Sequence, residues 1–582
     1  MIKTLLSQVK EYKLPSFLTP AFMIGEVICE MIIPILMGRI VDLGIQGNDM
    51  NYILRTGAIM LIVAIIGLFF GVLGGFTGSK ASAGFAKNLR KEMFKNIQTF
   101  SFANIDNFSS SSLVTRLTTD VTNIQMAYMM ILRMAMRAPA SMIIAMVMSF
   151  LISPKLASIY LVAVILIGLV LSFIMVRTTA YFKKVFEKYD LLNESVQENV
   201  SAIRVVKAYV REDTEISKFK KAAFNIYLLF VKAELKIAKI VPLMMTTVYV
   251  CILLISWFGA NMIVSQSLTT GELMSLLTYC MNILMSLMFL SIIFVMLTMS
   301  EASAKRIVEV ITEVPTITNP SNAISKIDDG SIEFENVDFA YSKDAKEMVL
   351  SNINLKINSG ETIGIIGGTG SAKSSLVNLI SRLYDVSQGQ VKVGGHNVKD
   401  YDIKSLRDQV SVVLQKNVLF SGSIIENLRW GNKNASLEDC KKACDIACAT
   451  EFIEKMPDGF DTHIEQGGSN VSGGQKQRLC IARAILKKPK ILIFDDSTSA
   501  VDTSTDAKIR NALASEIPST TKIIIAQRIS SVEHCDKVIV MDDGKVVGFD
   551  TPSNLLITNS IYREVYESQN SSSSEADFDE IN

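Results

Sequence analysis

Long stretches of the first half of this chain carry almost no charge. Pro15–Gly38 holds only Glu26 and Glu30, Gly57–Ser79 holds none, Ala138–Val176 holds only Lys155 beside Pro154, and Ile240–Ser300 holds only Glu272. A helix that crosses a membrane needs about 20 mostly apolar residues. The pattern therefore predicts six spans, at roughly 16–41, 55–79, 134–153, 156–177, 240–263 and 272–299. The segment between the second and third spans carries Lys80, Lys87, Arg90, Lys91, Lys95 and Arg116. That between the fourth and fifth carries Lys183, Lys184, Lys188, Arg204, Lys207, Arg211, Lys218, Lys220 and Lys221, whereas Gly44–Asn51 and Ser265–Gly271 carry no Lys or Arg. Basic loops stay on the cytoplasmic side, so the long segments and both termini are expected in the cytoplasm. Ahead of the first span, Ile2, Leu5, Leu6 and Val9 share a face opposite Lys3, Lys10 and Lys13. Charges interrupt this stretch too early for a signal peptide; the pattern suggests a short helix lying in the membrane interface.

The character changes after Arg306. A polar, Pro-containing linker (313–330) leads to short β-rich runs at 331–335, 363–366, 411–414, 491–494, 522–526 and 537–541, separated by helical patterns. Strands alternating with helices predict an α/β domain with a largely parallel sheet. The Ser-rich acidic end reads as unstructured. The expected organisation is an all-α six-helix transmembrane domain (1–312), the linker, an α/β domain (331–567) and the tail (568–582).

Composition narrows the function without naming it. Lys and Arg number 58 against 57 Asp and Glu, a net charge of +1 that argues against a nucleic-acid partner. Hydrophobic residues at 49% are the membrane half diluted by a more polar one. Cys440, Cys444 and Cys448 recur every four residues but lack a nearby His or CxxC pair. They read as small buried residues rather than metal ligands.

The sharpest chemistry lies at Gly367-Gly368-Thr369-Gly370-Ser371-Ala372-Lys373-Ser374, followed by Ser375, between an apolar strand and a helical run. This is nearly the phosphate-binding loop G-x-x-x-x-G-K-S, whose N–H groups and helix N-terminus cradle phosphates. Lys373 would reach the β- and γ-phosphates and Ser374 would hold Mg2+; Ala372 stands where the last glycine is usual. Ile491–Phe494 is an apolar run that ends in Asp495, a carboxylate suited to the same Mg2+.

Between them, Ser472-Gly473-Gly474-Gln475 opens a basic helix. Together with the phosphate loop it resembles the nucleotide-binding domain of ATP-binding-cassette (ABC) transporters, and six spans ahead of it resemble a half-size ABC exporter. The resemblance covers nearly the whole chain. It implies ATP and Mg2+ as cofactors, Tyr341 stacking on adenine, Gln415 at the metal and attacking water, Glu465 ahead of the signature Ser472–Gln475, and a D-loop at Ser499–Asp502. It also implies that Ser112–Asp120 and Glu198–Lys207 lie in the cytoplasmic segments that hold the coupling helices.

Two further positions depart from the family. Asp496 stands where a catalytic Glu normally follows the Walker B aspartate, and Gln527 stands where the switch loop normally has His. Removing one methylene withdraws a carboxylate by about 1.5 Å, and a misplacement of about 1 Å can cost a hundredfold. Gln can hydrogen-bond a phosphate but cannot become cationic. With Ala372, these weaken one nucleotide site while the signature stays intact. The expectation is half of a heterodimeric bacterial multidrug exporter in the inner membrane, whose partner carries the usual Glu and His. A homodimer with two slow sites is the alternative, as are an ATP-gated regulator or channel subunit and a lipid or peptide exporter. Glu26 and Glu30, one turn apart, either attract cationic substrates or pair structurally with Arg133 or Arg137. Met274, Met281, Met285, Met288, Met296 and Met299 form a stripe on the sixth span that fills gaps between helices or faces substrate.

Overall fold

A computed structural model of the chain describes residues 1–342, 345–496 and 501–579. Two compact units emerge: Met1–Thr99 with Phe108–Glu313, and Phe100–Asn107 with Val314–Asn582.

The first unit is all helical. Its rods are Lys13–Arg39 (continued by a wider turn to Ile45), Met50–Ile97, Ser110–Ile152, Pro154–Ser201, Glu212–Ile237 leading into Ile240–Val264, and Thr270–Thr312. Six of these segments are long and apolar enough to cross a membrane, so this is a multi-pass membrane protein. The helices far outrun the apolar stretches. At 1.5 Å per residue the 48-residue helix Met50–Ile97 is about 72 Å long, against a hydrocarbon core of about 30 Å. The predicted spans are therefore the apolar middles of longer rods. Glu272, the one charge in the last stretch, is explained by its position: it closes a capping box with Thr269 at the start of that helix.

Asp120, only 1% exposed, accepts hydrogen bonds from Ser303 Oγ at 2.8 Å and from Arg306 Nε at 2.7 Å and Nη2 at 2.5 Å. Beside it Arg116 pairs with Glu309 at 2.8 Å. These bonds staple Ser110–Ile152 to Thr270–Thr312 in their polar extensions.

The second unit holds β1 (Ile332–Phe339), β2 (Leu350–Ile357), β3 (Thr362–Gly367), β4 (Gln388–Val393), β5 (His396–Asn397), β6 (Val410–Val413), β7 (Gly422–Ser423), β8 (His463–Ile464), β9 (Ile491–Asp495), β10 (Thr521–Ile525), β11 (Lys537–Asp542) and β12 (Lys545–Asp550). One sheet runs β12-β11-β3-β10-β9-β6 and is parallel except at β12. Helices cover both faces of such a sheet, so its strands are apolar throughout; β9 and β10 are buried at every position. A second, antiparallel sheet runs β2-β1-β4-β5. The expected single sheet is thus two. The run at 331–335 belongs to the antiparallel one, and β2 and β4 escaped the sequence pattern because alternating burial makes such strands less continuously apolar.

Cys440 and Cys444 pack in the core on helix Leu437–Ile446, and Cys448 lies beyond its end. A last helix, Ser560–Asp579, runs into the stretch that composition reads as an unstructured tail.

Candidate functional site: a nucleotide site at the carboxyl edge of the sheet

In an open parallel sheet, ligands bind where the strands end. Four neighbouring strands deliver the motifs to that edge. The phosphate loop follows β3, Gln527 lies two residues past β10, Asp495 and Asp496 stand at the end of β9, and Gln415 lies just past β6. The parallel register sets the level: Ile525 lies opposite Asp495, and Val413 opposite Phe494.

The loop closes on itself through Lys373, whose Nζ donates to the carbonyls of Gly367 at 2.9 Å and Gly368 at 2.8 Å, and to Ser371 Oγ at 3.3 Å. Burial pushes this ammonium's pKa down, and the carboxylates of Asp496 and Asp495 oppose that shift. Gly370 needs its freedom, with φ +86°. Ala372 adopts φ +67°, ψ +25° as the N-cap of helix Lys373–Ile380. A Cβ in that left-handed region costs about 1–2 kcal/mol, so the loop keeps its shape against a local strain that glycine would avoid.

Ser374 Oγ donates to Asp495 Oδ1 at 2.7 Å. Burial raises the Asp495 pKa, and the bond from Ser374 partly offsets it. A hydroxyl and a carboxylate in contact form an oxygen-only set, the kind that suits Mg2+. Gln415, two residues past β6, is exposed. Ser374, Asp495 and Gln415 would hold the ion, which supplies charge neutralisation for the phosphates when bound.

Asp496 adopts φ +46°, and Gln527 Nε2 donates to its Oδ2 at 2.7 Å. Two of the three unusual residues, Asp496 and Gln527, are therefore hydrogen-bonded to each other.

Tyr341 is 48% exposed, and its hydroxyl shares a 2.8 Å hydrogen bond with Ser375 Oγ. Its ring makes T-shaped contacts with Phe339 and Tyr384 at 4.9 and 5.0 Å. Tyr384 donates to Asp106 Oδ2 at 2.7 Å, and Phe102 meets its ring at 6.0 Å. Asp106 lies on the short helix Phe102–Asn107, which clusters with the nucleotide unit. Ser112–Asp120, a few residues downstream, belongs to the membrane unit. Sequence reading missed Tyr384 and Asp106 because neither sits in a loop motif.

Ser472 caps helix Gly473–Ile485 through a capping box with Gln475, and Ser472 and Gly473 are open to solvent. Glu465 accepts from Ser469 Oγ at 2.6 Å. Ser499 and Ala500 of the D-loop lie outside the described residues; Asp502 caps the helix Thr503–Glu516.

In the membrane unit, Arg137 bridges both acidic residues of the first span, at 3.4 Å to Glu26 and 3.0 Å to Glu30. The structural pairing foreseen for these carboxylates is realised with Arg137. Arg137→Gln should cost about 2–3 kcal/mol, because two carboxylates then lose their cation at membrane depth. Neutralising all three residues should recover most of the loss, read from thermal unfolding in detergent. In the sixth span Met274 and Met281 are exposed in this chain, while Met288 packs on the core.

Residues 17–288 match the ABC transporter transmembrane region and residues 350–499 the ABC transporter family. The chain is 36% identical to the uncharacterized ABC transporter ATP-binding protein YfiB of Bacillus subtilis, over 97% of this chain and 98% of that one. It is 32% identical to YknV, another uncharacterized ABC transporter ATP-binding protein of the same organism, over 98% and 95%. In fold it is similar to a bacterial Atm1-family ABC exporter with ATP bound, at TM-score 0.80 and 23% identity, covering 97% of this chain and 98% of that one.

Proposed function

We propose, from the premise that this chain belongs to the ABC transporter family as a half-size exporter, that it is the degenerate-site half of a heterodimer. The pair exports drugs or other amphipathic compounds across a bacterial inner membrane, with both termini in the cytoplasm. The carrying observation is the 2.7 Å bond from Gln527 to Asp496. A short carboxylate tied to an uncharged amide is a poor base for activating water, because it is both withdrawn and already engaged. Ser472–Gln475, well capped and open to solvent, supports a role in a second site whose Glu and His belong to the partner half. Exposed apolar side chains on the segment after Ser201, including Ile203, Val205 and Tyr209, support an interface with that partner.

Within the chain's own site, Lys373 and the loop amides bind phosphates, Tyr341 receives the base, and Gln527 orients the terminal phosphate slowly. The movement of the two ATP-bound halves of the transporter toward each other is passed to the spans, and a ligand can shift that equilibrium only by its differential affinity for the two states. Glu26 and Glu30 favour cationic cargo, tempered by Arg137.

The test is the ATPase rate of the purified chain alone. The expected rate lies far below about 1–10 s⁻¹; turnover in that range by the isolated chain would overturn the degenerate-site reading. Co-purification with a half-transporter that carries Glu and His at the matching positions, and restored turnover in that pair, are the expected complement.

A further inference from the structure

The loop after β10 has to hold its shape without a strand partner, and buried or half-buried backbone groups need hydrogen-bond partners. One side chain from far along the sequence supplies two of them. Gln569 Nε2 donates to the Gln527 carbonyl at 2.9 Å, and the Ile529 amide donates to Gln569 Oε1 at 2.8 Å. The donor and acceptor ends of a single amide thus bracket Arg528, and the two partners fix which way the amide points.

The helix that carries Gln569 is well anchored. Tyr562 is 1% exposed, and Val565 and Tyr566 pack on the same core. Residues three, four and seven apart share a helical face, so the anchor of Tyr562 and Tyr566 directs Gln569 onto the loop. The ends of the loop have other ties: Asp496 N donates to Ile525 O at 3.2 Å, and Arg510 Nη1 donates to Ser530 O at 2.5 Å. Gln569 holds the middle, where Gln527 is.

We propose that Gln569 is a positioning residue of the nucleotide site: through the switch-loop backbone it holds Gln527 against Asp496. The C-terminal helix then becomes a handle on the site, and anything that displaces it releases the loop. This rests on the reading that Gln527 acts on bound nucleotide.

Hydrogen exchange on the full-length chain in lipid nanodiscs tests it. In Gln569→Leu the Ile529 amide should exchange at least about tenfold faster, while amides around Tyr562 stay within about twofold of the wild type. Gln569→Glu keeps the acceptor and should keep most of the Ile529 protection. In an Asp496→Glu background the longer carboxylate no longer depends on its contact with Gln527, so Gln569→Leu should lower kcat several-fold at unchanged KM for ATP, through loss of Gln527's orientation toward the terminal phosphate. Unchanged Ile529 exchange, loss of protection along the whole helix, or an unchanged kcat would each overturn the proposal. Exchange requires no turnover, so fast ATPase by the isolated wild type would sink the degenerate-site reading and leave this result standing.

Discussion

Changing Asp496 to Glu and Gln527 to His together should raise the ATP turnover of the purified chain by about a hundredfold. The added methylene moves the carboxylate forward by about the distance it now lacks, and the imidazole brings a group that can be neutral or cationic near pH 7. Each single change should do less than half of this on a logarithmic scale. Gln527 now donates to Asp496 at 2.7 Å, so altering one side chain leaves the other in an arrangement built for the original pair. ATP affinity should change little, because Lys373 and the loop carbonyls it caps are untouched. Phosphate release measured at saturating ATP decides the matter. A double variant within threefold of the wild type would place the limit elsewhere, with Ala372 the next position to revert.

Arg306→Ala should cost the membrane unit about 3 kcal/mol or more, the penalty for leaving a buried charge without its partner. Asp120 is the side chain that suffers: it is 1% exposed and loses both guanidinium bonds, keeping Ser303. Arg306 itself is 46% exposed, which places the loss at the lower end of the range for buried pairs. Replacing both partners by apolar residues, Asp120→Leu with Arg306→Met, should restore most of the stability, since no charge then remains to be satisfied. Thermal unfolding in nanodiscs reads both variants. A double variant no better than Arg306→Ala would show that this polar staple specifies the packing of its two helices.

The legible part of this protein was the part written in short-range pattern. Uncharged stretches marked the spans because hydrocarbon excludes charge. The continuous apolar runs of β3, β9, β10 and β11 were visible because a parallel sheet is covered on both sides; β2 and β4 were not, since one-sided burial dilutes the signal. Gly367–Ser374 and Asp495 stood out as candidates because phosphate and Mg2+ demand particular atoms at fixed spacing, and Ser472–Gln475 stood out through its resemblance to the family signature.

Sequence by itself determined the membrane half and the ABC half, and it named Ala372, Asp496 and Gln527 as departures within the candidate site. It named Arg137 as a possible partner of Glu26 and Glu30 but could not choose it, and it had no means of pairing Tyr384 with Asp106 or Gln569 with the switch loop. Those choices join residues 40 to 278 positions apart. A side chain's chemistry is local, whereas its partner is set by which elements the fold brings together. Tertiary structure alone therefore decided that Asp496 and Gln527 form a hydrogen-bonded pair, and that Gln569, in a seemingly unstructured tail, hydrogen-bonds the backbone on both sides of Arg528.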